Sequence, residues 1–199
     1  MDMVERYLGE MEFALRALSR DDLRRVVGAL FDAWRWGKTA WIIGNGGSAA
    51  TASHMMNDLC KCTLVKGQPR FRALALTDNV PLMTAIANDV DYDDVFVEQL
   101  KTHLNKGDVV IALSGSGNSP NVLRAVAYAK EQGALTIGLC GKPGGKLATL
   151  ADLRVIMPAE RIGQQEDGHL IFNHVIALAL RERIELHAVG TINASAVAS

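Results

Sequence analysis

Residues 109–119 read VVIALSGSGNS, and few local patterns restrict a fold as tightly. Five apolar residues, Val109 to Leu113, run straight into Ser114-Gly115-Ser116-Gly117-Asn118-Ser119. An amphipathic stretch over 120–132 leads out. That order predicts a buried parallel strand, a tight turn and then a helix. Glycine lets the backbone turn sharply and bring its N–H groups close to a ligand. The first N–H groups of the following helix face the same way, and the helix dipole favours an anion there. Three serine hydroxyls add donors, so the run describes a phosphate cradle. It is neither GxxxxGK[ST] nor GxGxxG, and no nucleotide cofactor is expected. A serine-rich loop that holds no ligand would account for the same letters.

A second turn of this kind follows the apolar run 39–43. It reads Gly44-Asn45-Gly46-Gly47-Ser48 and opens a helix expected over 48–62. Further strands are expected at 72–76, 136–139 and 153–157. Helices are expected from about 80 to 87, over 92–104, and from about 165 to 187. Strand and helix therefore alternate from residue 39 onward. The fold class is α/β: a doubly wound, mostly parallel sheet with helices on both faces and right-handed connections. Ligands in such folds bind at the carboxyl ends of the strands, where both glycine turns fall. Ahead of the sheet, Val4, Leu8, Met11, Leu15 and Leu18 recur at helical steps. Ser19 is the candidate N-cap of a second helix that stops near Gly37. Whether these two helices form a lid or an oligomer surface stays open. The reading is one domain over 1–189, helical over 1–37, with a flexible tail at 190–199.

Composition narrows the class. With 199 residues, 49% hydrophobic, and a mean hydropathy of +0.10, the chain can bury a sizeable core. A net charge of −1 offers no basic excess for nucleic acid. No apolar run approaches the roughly 20 residues that span a bilayer, so no membrane partner is expected. The start, Met-Asp-Met-Val-Glu-Arg, lacks the basic and apolar regions of a signal peptide. Three cysteines make an odd count, and Cys60 and Cys62 face apart on a helix. A reducing, cytoplasmic location is expected.

On the helix after the first glycine turn, His54 and Asp58 are four residues apart and share a face. A local surface pair is the plain alternative. Early in the last helix, Gly168 is a poor helix former and suggests that regular helix begins later.

The two turns, GNGGS at 44–48 and SGSGNS at 114–119, together with Gly141-Lys142-Pro143-Gly144-Gly145-Lys146, resemble the sugar isomerase (SIS) domain family. Within it the chain looks like the phosphoheptose isomerases, over roughly residues 5–187. The resemblance implies a five-stranded parallel sheet between helices. It also implies a homotetramer with active sites at subunit contacts. The implied reaction converts sedoheptulose 7-phosphate to D-glycero-D-manno-heptose 7-phosphate through an enediol, for bacterial heptose synthesis. Such chemistry needs a base at carbon, an acid–base group at the oxygens, and stabilisation of the enediolate.

Carried onto this sequence, the resemblance makes Asp58 and His174 catalytic. Asn45, Gly46, Gly47, Ser48, Asp58, Asn88, Asp89, Ser114, Gly115, Ser116, Ser119 and Glu166 become substrate contacts. His54, Asp58, Glu166 and His174 become a divalent-ion site, with zinc the implied metal. Glu166 and His174 are eight residues apart, about 80° around a helix, so both are expected to lean into one cleft. His169 points about 140° away from His174 and is read as structural. The chain departs from the family's pattern twice: Asp58 stands where a glutamate is usual, and Glu166 where a glutamine is usual. Those departures keep two other readings open. One is a non-enzymatic scaffold that binds the replication initiator DnaA; the other is a phosphosugar-binding module.

Overall fold

The computed structural model describes the backbone of residues 2–197 and the side chains of residues 2–190. Two helices, α1 (Met3–Ala17) and α2 (Arg20–Arg35), precede the first strand, β1 (Thr39–Gly44). Then come α3 (Gly47–Lys61), β2 (Arg72–Ala75), α4 (Val80–Asp89) and α5 (Val97–His103). The chain continues through β3 (Val109–Ser114), α6 (Pro120–Glu131), β4 (Leu135–Gly141), α7 (Gly145–Leu150), β5 (Leu153–Met157) and α8 (Ile162–Val197).

The five strands form one all-parallel sheet in the order β2-β1-β3-β4-β5. Strand order reverses between β1 and β3, so the crevice of this sheet opens at their carboxyl ends. Both glycine turns sit at that point, one after each strand.

Why the strands read as continuous apolar runs is visible in their side chains. Ala40, Ile42, Val109, Ile111, Leu113, Ile137 and Leu139 pack on one face with residues of α1, α2, α3 and α8. Trp41, Ile43, Val110, Ala112 and Cys140 pack on the other with residues of α5, α6 and α7. Successive residues point to opposite faces, and helices cover both faces. On α8, Phe172, Ile176, Leu180 and Ile184 recur every four residues and are at most 1% exposed. Burial of each such side chain stabilises the fold by about 1.5–3 kcal/mol.

Four expectations change. Residues 92–104 are not one helix: a 3-10 turn over Tyr92–Asp94 precedes α5. The Asp91 carboxylate accepts from the Asp93 backbone and fixes that separate turn. Gly168 does not delay α8, which is regular from Ile162. A Cβ there would meet Met157 Cγ and Sδ at 2.5 Å, so the glycine lets α8 approach β5 closely. A short helix, α7, follows the GKPGGK turn where no helix was expected. The flexible tail expected over 190–199 is instead helical backbone through Val197. That stretch contains no proline to break the backbone ladder; residues 198–199 lie outside the described residues.

The leading helices lie against α8, and α2 also packs on β1 and β5. Tyr7 donates to the Asp167 carboxylate at 2.5 Å, and Arg161 pairs with Glu10 at 2.9 Å. Gln164 adds hydrogen bonds to Glu10 and to the Tyr7 carbonyl.

Candidate active site

The Ser114–Ser119 turn folds on its own hydroxyls. The Gly117 N–H donates to Ser114 Oγ at 3.1 Å, and the Asn118 N–H to Ser116 Oγ at 3.2 Å. Gly117 has φ +64°, and a Cβ there would overlap the Gly144 carbonyl oxygen, so the GKPGGK turn closes directly over this glycine. Ser119 caps α6 without a side-chain hydrogen bond to the helix, and Pro120 takes the first helical position. The N-terminus of α6 therefore keeps its polarity toward the turn. Below the turn, the buried Gln165 amide donates to the Ala159 carbonyl at 2.9 Å, just past the end of β5, and to the Lys142 carbonyl just past β4 at 3.4 Å.

These parts line a cavity of about 170 Å³ with Asn45, Ser48, Ser114, Gly115, Ser116, Ser119, Ile162 and Glu166. Asn45 is fixed by a reciprocal amide pair with the buried Asn121, two hydrogen bonds of 2.9 Å. Its Oδ1 also accepts from Tyr92 Oη at 3.1 Å. Glu166 reaches across from α8 to the start of α3: a Cβ on Gly47 would meet Glu166 Oε1 at 2.5 Å. Gly46, at φ +55°, gives α3 a cap with no side chain to compete at that end. Asn88 and Asp89 do not line this cavity. They are exposed at the end of α4, where the Asn88 amide donates to Asp89.

A second cluster lies further along the same two helices. His54 and Asp58 come from α3, and His174 comes from α8. His54 Nε2 is 3.3 Å from Asp58 Oδ2, His174 Nε2 is 3.7 Å from the same oxygen, and the two Nε2 atoms are 3.5 Å apart. Asp58 is buried, while both imidazoles open to solvent. The Cys62 thiol lies 3.6 Å from Asp58 Oδ1. Burial, then the Asp58 carboxylate, pushes that thiol above its usual pKa, so it stays a donor. These three side chains can hold a metal ion. Zinc bonds of about 2.0–2.1 Å in a tetrahedron put ligand atoms roughly 3.4 Å apart, which is the spacing seen here.

Glu166 is not in this group, contrary to the four-ligand expectation. Its angle around α8 suits a shared cleft with His174, but eight residues also advance about 12 Å along the axis. That rise carries Glu166 to the serine cavity and leaves His174 at the metal-ligand cluster. His169 is fully buried in the core. Burial holds its imidazole below the usual pKa, with the Cys140 backbone partly opposing.

The SIS domain profile matches residues 6–141. The chain is 35% identical over 167 residues to the phosphoheptose isomerase of Geobacter sp. (strain M21), covering 84% of this chain and 86% of that protein. It is 38% identical over 154 residues to that of Mycobacterium tuberculosis (strain ATCC 25177 / H37Ra), covering 77% of this chain and 78% of that protein. The chain belongs to the SIS domain family, among its phosphoheptose isomerases. The structure of phosphoheptose isomerase GmhA from Neisseria gonorrhoeae superposes with a TM-score of 0.83 at 28% identity, over 90% of this chain and 97% of that one.

Asn121 and Tyr92, which hold Asn45, and Asn173, whose amide donates to Asp58 Oδ2 at 2.7 Å, adjoin the candidate site and escape sequence reading. Asn173 had a signal: it shares the buried phase of α8 with Phe172 and Ile176, where an amide needs a partner. Asn121 and Tyr92 meet Asn45 only through the fold, and no local pattern marks them.

Proposed function

We propose that the chain is an aldose–ketose isomerase acting on sedoheptulose 7-phosphate. The observation that carries this reading is the arrangement of two stations on one helix pair. The serine cavity and the His54–Asp58–His174 cluster are about 12 Å apart along α8, a span of the order of a seven-carbon chain with a terminal phosphate.

In this reading Ser114, Ser116 and Ser119 donate to the phosphate, with the Gly115 backbone and the α6 N-terminus behind them. Asn45, Ser48, Gly46 and Gly47 face the sugar, and Glu166 accepts from its hydroxyls. Asp58 takes a proton from C1 of the ketose and returns it to C2 of the enediol. His174 moves the hydroxyl proton from O1 to O2, which leaves the aldose. His54, Asp58 and His174 would hold a zinc ion; when bound, it would take over from His174 the polarisation of the substrate oxygens as a Lewis acid, with the free oxygen of Asp58 left as the base. No described helix is long and apolar enough to cross a membrane, and we place the enzyme in the cytoplasm. Val175, Leu178, Leu186 and Val189 leave an apolar stripe exposed on α8, which supports a homotetramer with sites near subunit contacts.

The Asp58→Asn variant tests the assignment of the base. It should lose about 10²–10⁴-fold in turnover and keep phosphosugar binding. Full turnover in that variant would refute the role of Asp58.

A further inference from the structure

Asp58 is held on every side. On its own helix, the Asn57 amide donates to Oδ1 at 3.1 Å, and the Cys62 thiol lies 3.6 Å from the same atom. The two imidazoles face Oδ2. The shortest of its contacts comes from α8, where Asn173 Nδ2 donates to Oδ2 at 2.7 Å. Asn173 is fully buried, whereas Asn57 is exposed.

A carboxylate can only accept, so Asn173 must turn its NH₂ edge toward Asp58. Its Oδ1 is then left buried with no hydrogen-bond partner among the described residues. An unpartnered buried carbonyl costs stability that an apolar side chain would not. The residue is therefore poorly explained as core packing and well explained as a clamp. It also adjoins His174, so one turn of α8 sends an imidazole toward solvent and an amide inward, both onto the same carboxylate oxygen.

We infer that Asn173 is the positioning residue for Asp58, fixing the carboxylate where the two imidazoles converge. The inference rests on the proposed isomerase reading. Hydrogen bonds to such a carboxylate are commonly worth about 10–100-fold in activity or metal affinity.

The test replaces Asn173 with leucine, which keeps the branched shape and removes both the donor and the stranded carbonyl. Asn173→Leu should remain folded and melt within a few degrees of wild type, the stranded carbonyl it removes offsetting the donor that Asp58 loses. Its kcat for sedoheptulose 7-phosphate should fall about 10–100-fold with KM within about 2-fold, and zinc affinity in chelator competition should weaken about 10-fold. Asn173→Ser, which keeps a donor, should recover part of the lost kcat. If Asn173→Leu does not fold, Asn173→Ala takes its place with the same readouts. A folded variant with wild-type kcat and wild-type zinc affinity overturns the clamp and leaves the isomerase reading standing. If the wild type turns over no sugar phosphate, that reading fails and zinc competition alone decides. Weakened affinity then upholds the clamp, and affinity unchanged or undetectable in both proteins overturns it.

Discussion

Asp58 on α3 and His174 on α8 place Oδ2 and Nε2 3.7 Å apart, although four of the five strands lie between them in sequence. The sheet makes this meeting possible. Crossovers return α3 and α8 to the same face, where both contribute to one apolar core with β1 and β3. The proposed reaction chemistry and metal-ligand geometry thus rest on the packing of two helices, with the proposed phosphate end set by loops about two turns away.

Separating these two stations gives a direct test of the ligand set. Protein purified without chelator should carry zinc, and His54→Ala or His174→Ala should strip most of it. Glu166→Gln should leave the zinc content unchanged, because Glu166 lines the serine cavity. Elemental analysis of the four proteins decides. Loss of metal on changing Glu166 would restore it to the ligand set.

Among the described residues, Glu166 is the one charged side chain in a cavity lined by serine hydroxyls, the Asn45 amide and apolar residues. Its charge opposes an incoming phosphate by an amount of order 1 kcal/mol at surface-like screening. Glu166→Gln should therefore bind inorganic phosphate about 5-fold more tightly in calorimetry. Weaker binding would mean that Glu166 supports the anion through its hydrogen bonds.

Gly117 is the tightest backbone point of the cradle, at φ +64° beneath the Gly144 carbonyl. Gly117→Ala combines a left-handed backbone position with a steric overlap. It should cost about 2–4 kcal/mol in denaturant unfolding and abolish phosphate binding. An alanine variant with normal stability and phosphate affinity would show that the GKPGGK turn yields easily.

His169 predicts how stability depends on acidity. Burial holds its folded pKa below the usual value near 6.5. Above that value both states are neutral and His169 contributes no slope. As pH falls below it, the unfolded chain binds a proton that the folded chain resists, and stability drops by at most about 1.4 kcal/mol per pH unit. Melting profiles of metal-free protein from pH 7.5 to 5.0 should fall more steeply for wild type than for His169→Leu. Parallel profiles would contradict the assignment.

Much of the fold is legible in local pattern. The two glycine turns, the apolar strands that lead into them and the Ser19 cap all survive folding in place. So does the pairing of His54 with Asp58, because four residues on one helix fix it. What escapes is whatever depends on distance along an axis or across the sheet. The family resemblance implied Glu166 as a metal ligand and its angular position allowed it, but its rise along α8 removes it from that group. Gly168 reads as a helix breaker by propensity, yet tertiary packing against Met157 keeps it helical. Asn121 and Tyr92 meet Asn45 only once β1, α6 and the Tyr92–Asp94 turn are assembled.

The central claim is turnover of a seven-carbon ketose phosphate, and a coupled assay for the aldose product tests it most directly. The purified protein, with and without Zn²⁺, is incubated with sedoheptulose 7-phosphate and with five- and six-carbon ketose phosphates. The account predicts aldose from the seven-carbon substrate, with the shorter ones slower because they cannot span both stations. Binding of all the phosphosugars with no aldose from any of them would contradict it and leave a phosphosugar-binding module.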